Sequence, residues 1–404
     1  MSLNHAQTEA VAHNEGPCMV LAGPGSGKTL TIAKRIEYLI MKHKVRPEEI
    51  LVITFTKYAA WEMKNRTRSI CGPSSYAVTF GTFHGIYYGI LKWAYRLNQS
   101  NLLSDEEKYR ILREILPGID WDQEPEADEE KDYLQELAIE IGNVKNNCMD
   151  IEEYEPVKYT TEKFRKLYRT YEETKKKYRK IDFEDMLIQC RDLFMKRPDI
   201  LKKWQEKFQY ILVDEFQDVN QAQYDVVRML AAPQDNLFVV GDDDQSVYGF
   251  RGAKPGIMKE FMKDYPKARQ ILLDVNYRSS GYIVKGALRV IGNNKIRFEK
   301  KIEAFRKPDE TVHVQEVKDP VQEAEYVLER IREYREKGVS YTEMAVLYRT
   351  NVDARAMSEL MTEYQIPFVM KEHLNNIYEH FIALDMISYL RLSQGEYDRK
   401  YFLQ

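Results

Sequence analysis

The residues best suited to chemistry form a glycine-rich run at positions 22–29, which reads Ala-Gly-Pro-Gly-Ser-Gly-Lys-Thr. Glycines let a backbone wrap around an anion, so that its N–H groups and the N-terminus of the following helix point at phosphate oxygens. Lys28 can then reach the β and γ phosphates, and the Thr29 hydroxyl can bind magnesium. The strict pattern begins with glycine, but the small Ala22 leaves space, and the position between an apolar strand and a helix argues against a chance glycine turn. We therefore predict an ATP-binding loop formed by Ala22, Gly23, Pro24, Gly25, Ser26, Gly27, Lys28 and Thr29.

A second candidate is the run at 210–215, Tyr-Ile-Leu-Val-Asp-Glu, an apolar strand that ends in two carboxylates. In a phosphate-loop ATPase, magnesium needs an acid at this place and the attacking water needs a base. Asp214 would be the magnesium ligand and Glu215 the base. A strand that ends in Asp-Glu is common by itself, but together with the glycine-rich run it indicates nucleotide hydrolysis.

These side chains need a sheet to position them, and the sequence predicts one. Short apolar runs alternate with amphipathic helical stretches, as in βαβ units around a parallel sheet, so the predicted fold class is α/β. We expect buried strands at residues 18–22, 50–56, 77–81, 210–214, 237–241 and 271–275. Further strands are expected at 311–317, 344–349 and 367–370, with helices at about 320–337, 353–364 and 377–392.

The middle of the chain breaks this rhythm, because it is tyrosine-rich, charged and helical in period. We therefore predict three domains: a first α/β domain from residues 1–92 and 197–274, an inserted helical domain at 93–196, and a second α/β domain at 275–404. Within the insert, Phe164, Leu167, Tyr168, Tyr171 and Tyr178 fall on one helix face. Two interpretations stay open: aromatics in a core with lysines in water, or a basic strip facing duplex DNA.

The composition is that of a globular protein. Of 404 residues, 44% are hydrophobic and 31% charged, which argues against disordered, collagen-like and membrane proteins. Sixty basic and 64 acidic residues give a net charge of -4, which excludes a uniformly cationic nucleic-acid coat but not a local basic groove. The four cysteines form no CxxC pair, and neither a leader nor a long apolar run occurs. We expect a cytoplasmic protein with reduced thiols that does not contact membranes.

Six motifs in order carry a resemblance to a known family. They are Leu3-Asn4 with Gln7, Thr54-Phe55-Thr56, Thr82-Phe83-His84, Asp214-Glu215-Phe216-Gln217-Asp218, Gly241-Asp242-Asp243-Asp244-Gln245-Ser246-Val247-Tyr248 with Arg251-Gly252-Ala253, and Asn276-Tyr277-Arg278-Ser279. Together they resemble the UvrD/PcrA/Rep-like superfamily 1 DNA helicases, and Met344-Ala345-Val346-Leu347-Tyr348-Arg349 extends the resemblance over essentially the whole chain. The resemblance implies two RecA-like domains, with ATP between them and single-stranded DNA across their top.

The resemblance also implies roles at the ATP site. Gln7 is similar in position to the residue that hydrogen-bonds the adenine edge, and Tyr277 to the aromatic that stacks on adenine. Gln245 resembles the sensor of the γ-phosphate and attacking water. Arg278 resembles an arginine finger, which would stabilise charge on the transferring phosphate. Relatives often carry arginine where this chain has Leu30, so we expect a weaker base contact or a substitute such as Arg35.

DNA contacts follow from the same resemblance. Phe55, His84, Tyr248 and Phe250 are similar in position to residues that stack on single-stranded bases, where a π face binds any base. Phe250 replaces a tryptophan common in relatives and offers less area. For each aromatic the alternative is core packing beside a strand end. Arg251 is expected either to touch phosphate or to couple the two sites.

The implied function is an ATP-dependent DNA helicase, with ATP and Mg²⁺ as cofactors and single-stranded DNA and its junctions with duplex as partners. By resemblance it would translocate 3′ to 5′. A Gly-Leu-Glu type element and a Thr-Arg-Ala type element with a second arginine finger do not occur before Gln404. We therefore expect an N-terminal portion with an incomplete second RecA-like domain, which binds Mg-ATP but hydrolyses and unwinds poorly. The alternative is an ATP-switched single-stranded DNA-binding module without helicase activity.

Overall fold

The computed structural model describes residues 3–119, 130–247, 249, 252–254, 256–295, 297–308, 311–350, 352–370, 381–396 and 399. The chain forms two compact units, Met1–Val312 and His313–Gln404. None of the helices among the described residues has the length and apolar content that a bilayer crossing requires.

The first unit is built on a parallel sheet. The strands in chain order are β1 (Cys18–Ala22), β2 (Ile50–Thr54), β3 (Thr79–Thr82), β4 (Tyr210–Val213), β5 (Leu237–Gly241), β6 (Arg269–Leu273), β7 (Val275–Ser280) and β8 (Glu303–Arg306). Six of them form one sheet in the order β3-β2-β4-β5-β1-β6, and β7 pairs in parallel with β8. Because all six strands run the same way, their carboxyl ends meet at one edge, where α/β proteins bind ligands.

Helices connect the strands and form the insert. In chain order they are α1 (His5–Ala12), α2 (Lys28–Met41), α3 (Lys57–Cys71), α4 (Phe83–Tyr95), α5 (Asp105–Ile115), α6 (Glu130–Asn146), α7 (Thr161–Tyr178), α8 (Asp185–Lys196), α9 (Pro198–Lys207), α10 (Gln221–Ala231), α11 (Ile257–Asp264), α12 (Gly281–Ile291), α13 (Pro320–Glu336), α14 (Ala354–Glu363) and α15 (Phe381–Ser393).

The central strand β1 is buried on both faces, which explains its unbroken apolar sequence. Met19 and Leu21 pack into the core on one face, whereas Cys18, Val20 and Ala22 pack into the core on the other. Helices α4, α8 and α10 cover the first face, and α1, α2 and α3 cover the second. Such two-sided coverage is typical of parallel sheets. The predicted α/β fold class is confirmed.

The insert has a hydrophobic core of its own between α5, α6 and α7. Phe164, Leu167 and Tyr171 are fully buried in it, and Tyr168 packs against it. Of the two interpretations of this aromatic face, core packing is confirmed for these residues, although Tyr178 at the end of α7 is exposed.

Four strand predictions need correction. The expected strand at 271–275 is two strands, because Arg269–Leu273 pairs with β1 while Val275–Ser280 leaves the sheet to pair with β8. The strands expected at 311–317, 344–349 and 367–370 are wrong, since these described segments carry neither helix nor strand. A strand exists only where a neighbour supplies hydrogen bonds. Leu347 and Val369 in these segments are 94% and 98% exposed, so apolar sequence alone did not create a ladder.

The second unit is held by helix packing in its described part. Leu328 and Ile331 of α13 contact Met361 of α14 and the following Ile366 in a small core. The helices expected at 320–337 and 353–364 are confirmed to within one residue at each end. Of the helix expected at 377–392, residues 377–380 lie outside the described residues, and α15 covers the rest.

Candidate nucleotide site and aromatic cavity

The glycine-rich loop lies at the carboxyl end of β1 and leads directly into α2. Gly25 and Gly27 have φ values of +67° and +86°, a region that favours glycine. Gly27 is the N-cap of α2, and the Ser26 hydroxyl donates to the Gly23 carbonyl oxygen at 2.7 Å, which fixes the turn. The loop therefore leads straight into the N-terminus of α2, whose first N–H groups have no partner within the helix and are the donors that an anion site uses.

The loop is in close contact with β7. The Tyr277 N–H donates to the Gly25 carbonyl oxygen at 3.0 Å. A Cβ atom on Gly25 would lie 2.8 Å from the Asn276 Oδ1 atom and 2.7 Å from the Arg278 Cβ atom. Glycine is therefore required here by space as well as by φ, and the predicted finger Arg278, which is exposed, lies beside the phosphate loop.

The two carboxylates after β4 differ in their surroundings. The Lys28 Nζ atom donates to Glu215 Oε2 at 2.8 Å. Burial raises the pKa of Glu215, but the Lys28 ammonium and hydrogen bonds from Lys28 and Gln217 outweigh it and hold that pKa below its usual value. Burial, followed by the neighbouring Glu215 charge, raises the pKa of Asp214 to about 7. A buried carboxylate short of positive charge is well suited to a bound cation.

Glu215 is held in an unusual backbone conformation. Its φ is +51°, in the left-handed region that a non-glycine residue enters only at a cost. The turn of Phe216–Asp218 follows it directly, so this conformation directs the Glu215 side chain back towards Lys28 while the chain leaves the sheet.

Gln217 connects the ends of β4 and β5. Its Nε2 atom donates to Glu215 Oε2 at 2.9 Å, and its Oε1 atom accepts the Asp242 N–H at 3.0 Å. A Cβ atom on Gly241 would lie 2.7 Å from Gln217 Oε1, so the glycine at the end of β5 makes this contact possible. The predicted sensor Gln245 lies on the next turn, where its Nε2 atom donates to Asp242 Oδ2 at 2.6 Å.

Gln7 is buried beneath the loop, with only 4% of its surface exposed. Its Nε2 atom donates to the Ser26 carbonyl oxygen at 2.9 Å, and its Oε1 atom accepts the Asn4 N–H in the capping box of α1. The Asn4 side chain donates to the Tyr277 hydroxyl at 2.9 Å. The structure therefore brings Gln7 and Tyr277 together through Asn4 and the loop. An amide carries two N–H groups, so one remains beyond the bond to Ser26.

Arg35 is not placed as suggested. Its guanidinium is buried under the sheet, where it donates to the carbonyl oxygen of His13 and lies 4.4 Å from the centre of the Phe238 ring. The suggestion that Arg35 replaces the missing adenine contact at Leu30 is therefore wrong, because a fully packed guanidinium does not reach a bound base.

Phe55 and His84 line one cavity of about 410 Å³ between the sheet edge and the insert. The His84 ring lies 4.3 Å from the ring of Phe183, which is 55% exposed. Burial lowers the pKa of His84 to about 4, so the ring is neutral at neutral pH and presents a π face. Asp218 and Asn220, just after Gln217, also line the cavity, so it adjoins the nucleotide residues. Tyr248, Phe250 and Arg251 lie outside the described residues.

Sequence reasoning gave no individual role to four residues of this region: Asn4, Gln217, Asn276 and Phe183. Asn4 and Gln217 belong to the six family motifs, which is a signal for them, but their partners lie 273 and 25 residues away along the chain. Asn276 Oδ1 accepts the N–H groups of Arg278 and Ser279, a local turn that an Asn before two polar residues indicates. Phe183 lies in the insert and belongs to none of the six motifs, so the sequence does not indicate a role for it.

The donor set fits Mg²⁺ with a nucleoside triphosphate. The Thr29 hydroxyl and the Asp214 carboxylate are hard oxygen donors of the kind that Mg²⁺ prefers. The loop N–H groups and Lys28 offer positive charge for phosphate. There is no room for a Cβ atom at Gly25 or Gly27, so at these positions a phosphate would contact the backbone. This arrangement can bind phosphate, hold a cation and place a carboxylate beside both.

Two family models and a set of curated proteins match the sequence of this chain. The family model described as the UvrD/REP helicase N-terminal domain matches residues 3–266, and the UvrD-like helicase C-terminal domain matches residues 271–404. A putative ATP-dependent DNA helicase, YjcD of Bacillus subtilis, is 38% identical over 409 residues, which cover 98% of this chain and 52% of that protein. The ATP-dependent DNA helicase PcrA of Staphylococcus aureus is 35% identical over 404 residues, covering 98% and 54%.

The chain thus spans about half the length of the curated relatives it matches. The resemblance predicted from the six motifs is confirmed by both family models, which match consecutive parts of the sequence. The chain belongs to the UvrD/REP helicase family.

Proposed function

We propose that this chain is an ATP-dependent motor on single-stranded DNA, as the names of its helicase relatives suggest. One observation carries the proposal: the glycine-rich loop, the Asp214-Glu215 pair and the Gln245 turn converge at one sheet edge and are joined through Gln217. A nucleotide bound there would contact three strand ends together. Its hydrolysis would therefore change contacts across the whole edge.

At the ATP site, Lys28 binds the β and γ phosphates, and Thr29 with Asp214 holds Mg²⁺, which supplies charge neutralisation when bound. Glu215 accepts a proton from the attacking water once Lys28 turns from the carboxylate to phosphate. Gln245 orients that water, and Arg278 stabilises charge on the phosphate from its place beside Gly25. Gln7 donates its remaining N–H to the adenine edge, and Tyr277 stacks on the base.

Single-stranded DNA is proposed to enter the cavity lined by Phe55 and His84. The support is the shared cavity and the contact of the neutral, partly buried His84 ring with the half-exposed Phe183 ring. Stacking on π faces holds any base, which suits a translocase that has no sequence preference. Tyr248, Phe250 and Arg251 are proposed to extend this contact by family resemblance, as is 3′ to 5′ movement towards a duplex junction.

The proposed domains are the RecA-like core of 1–92 with 197–274, the insert of 93–196 and a second RecA-like domain in 275–404. The 404 residues contain no Thr-Arg-Ala element of the kind that supplies a second arginine finger. We therefore propose slow turnover by these residues, since an arginine finger is worth about 10³–10⁵ in rate. We further propose a cytoplasmic location, where ATP and DNA meet.

The test is steady-state ATP hydrolysis by the full chain with and without single-stranded DNA, compared with the Lys28→Ala variant. We expect stimulation by DNA in the wild type and roughly a 10²- to 10³-fold lower turnover in the variant, since Lys28 is a preorganised charge at the reacting phosphate. Lys34→Ala, which removes a surface pair with Glu37 on the same helix, is the matched control and should hydrolyse ATP as the wild type does.

Hydrolysis at the same rate with and without DNA would contradict the motor. If the chain binds ATP and DNA but hydrolyses nothing, the ATP-switched binding module is the correct description instead.

A further inference from the structure

Three consecutive aspartates after β5 converge on one buried ammonium group. The Lys300 Nζ atom lies 2.5 Å from Asp242 Oδ1, 2.5 Å from Asp243 Oδ1 and 2.8 Å from Asp244 Oδ2. The side chains of Lys300 and Asp242 are fully buried, and those of Asp243 and Asp244 nearly so. Lys300 is thus the centre of a closed ionic cluster that the proposed ATP chemistry does not use.

The charges of this cluster depend on Lys300. One oxygen from each aspartate lies within 4.8 Å of the others, so the three carboxylates repel one another unless a cation lies between them. Arg297 pairs with Asp244 through two hydrogen bonds of 2.8 and 2.6 Å, and the Phe298 N–H donates to Asp243. Asp242 receives its cation from Lys300, and it is the aspartate that contacts Gln245.

A continuous chain of hydrogen bonds leads from Lys300 to the nucleotide residues. Asp242 joins Lys300 through one carboxylate oxygen and Gln245 through the other. The Asp242 N–H donates to Gln217, which in turn donates to Glu215, the partner of Lys28. Asp242 is thus held by its backbone N–H and by both carboxylate oxygens. By binding one of these oxygens, Lys300 fixes the rotamer of the Asp242 side chain, and the other oxygen fixes the position of the Gln245 side chain.

Lys300 also belongs to the segment that packs on the phosphate loop. Two residues later, the Ile302 side chain lies where a Cβ atom on Gly23 would be, at 2.3 Å. Strand β8 follows at Glu303 and pairs with β7, which carries Tyr277 and Arg278. The segment that holds the Gln245 turn is therefore continuous with the strand pair that lies against the phosphate loop.

We propose that Lys300 is a positioning residue that holds Gln245, through Asp242, in register with the γ-phosphate, and links this contact to the β7–β8 pair. The inference rests on the proposed function of Gln245. Lys300 would thereby contribute to the discrimination between ATP and ADP, because only ATP carries the γ-phosphate that Gln245 would contact. Binding of ADP, which lacks that group, should not depend on Lys300.

The experiment compares the full chain with its Lys300→Met, Lys300→Arg, Asp242→Asn and Lys301→Met variants. Titration with fluorescent ATP and ADP analogues in Mg²⁺ gives the ratio of the two Kd values, and hydrolysis with single-stranded DNA gives kcat. Lys301 is adjacent and exposed, so its methionine variant is the matched control. Circular dichroism and thermal melting report folding of every variant.

In Lys300→Met and in Asp242→Asn, we expect the preference for ATP, which is the Kd for ADP divided by the Kd for ATP, to fall at least about fivefold. We expect kcat to fall about tenfold, while the Kd for ADP stays within about twofold of the wild-type value. Lys300→Arg should restore part of the preference, and Lys301→Met should match the wild type. Lys300→Met and Asp242→Asn act on one path. A variant that carries both substitutions should therefore lose no more of the ATP preference than the more affected of the two single variants.

Equal weakening of ATP and ADP in a folded Lys300→Met would overturn the proposal, because that is the result of a merely structural role. If Lys300→Met does not fold, Asp242→Asn decides the question, and an unchanged ATP preference in it overturns the proposal. A wild type that binds neither nucleotide contradicts the proposed function itself, which is a separate result and removes the basis of this inference too.

Discussion

Gln217 has no titratable group, yet it carries the contact between two strand ends. It donates to Glu215 and Asp218 and accepts the Asp242 N–H, so the base and the sensor turn share one amide. Roles could be predicted for the nearby Asp214 and Glu215, because carboxylates directly after an apolar strand indicate a cation ligand and a base in a phosphate-loop ATPase. The role of Gln217 could not, because it depends on the adjacency of β4 and β5 and on the missing Cβ of Gly241.

At the same scale, Phe183→Ala tests the cavity. The Phe183 ring lies at a tilt against the His84 ring and has about half its surface exposed, so its removal takes away one π face and the support of the other. We expect single-stranded DNA binding to weaken by about 1–3 kcal/mol, measured by fluorescence anisotropy of a labelled oligonucleotide. Tyr178→Ala, which removes an exposed aromatic of the insert that does not line this cavity, is the control. Identical affinity in Phe183→Ala would show that DNA passes elsewhere.

At the scale of elements, α6, α7 and the start of α8 are joined by a buried ionic cluster. Lys145 of α6 and Lys175 of α7 both bind Asp182 Oδ2 at 2.7 Å, and both also bind Asp185 and Glu172. Despite burial, the two ammonium groups hold the pKa of Asp182 well below its usual value. The cluster connects the core of the insert to α8, which packs on the sheet.

Lys175→Met should therefore destabilise the protein strongly. The change leaves three carboxylates with one ammonium in a buried site, and loss of one partner of such a cluster costs about 3–5 kcal/mol. Urea unfolding followed by circular dichroism measures the free energy of unfolding. Lys176→Met, one residue away and exposed, should change it by less than about 0.5 kcal/mol. If the free energy of unfolding falls by a similar amount in both variants, the buried cluster does not stabilise the protein in this way.

Strands could be predicted well where the sheet provides neighbours and poorly where it does not, whereas the helices α13 and α14 follow their periodicity outside the sheet. The apolar run at 18–22 has neighbours on both sides, in β5 and β6, and forms the predicted strand. The equally apolar runs at 344–349 and 367–370 have no ladder among the described residues. Hydrophobic sequence reports that a segment can be buried, whereas strand formation depends on a partner whose presence no local pattern encodes.

For the whole molecule, a net charge of -4 means that the proposed DNA binding depends on local contacts rather than on overall charge. The first unit contains the phosphate loop, the Gln217 connection and the aromatic cavity, with Asp218 next to Gln217 in sequence and at the cavity wall. We propose that nucleotide and single-stranded DNA bind to linked sites within this unit. Linked sites must change each other's affinity, commonly by about 5- to 150-fold.

The most direct measurement is the Kd of the full chain for a labelled single-stranded oligonucleotide, with and without a saturating non-hydrolysable ATP analogue and Mg²⁺. We predict a change of at least about fivefold that is absent in Lys28→Ala and retained in Lys34→Ala. The same Kd under both conditions, with nucleotide binding verified in the same sample, would show that the two sites are not linked.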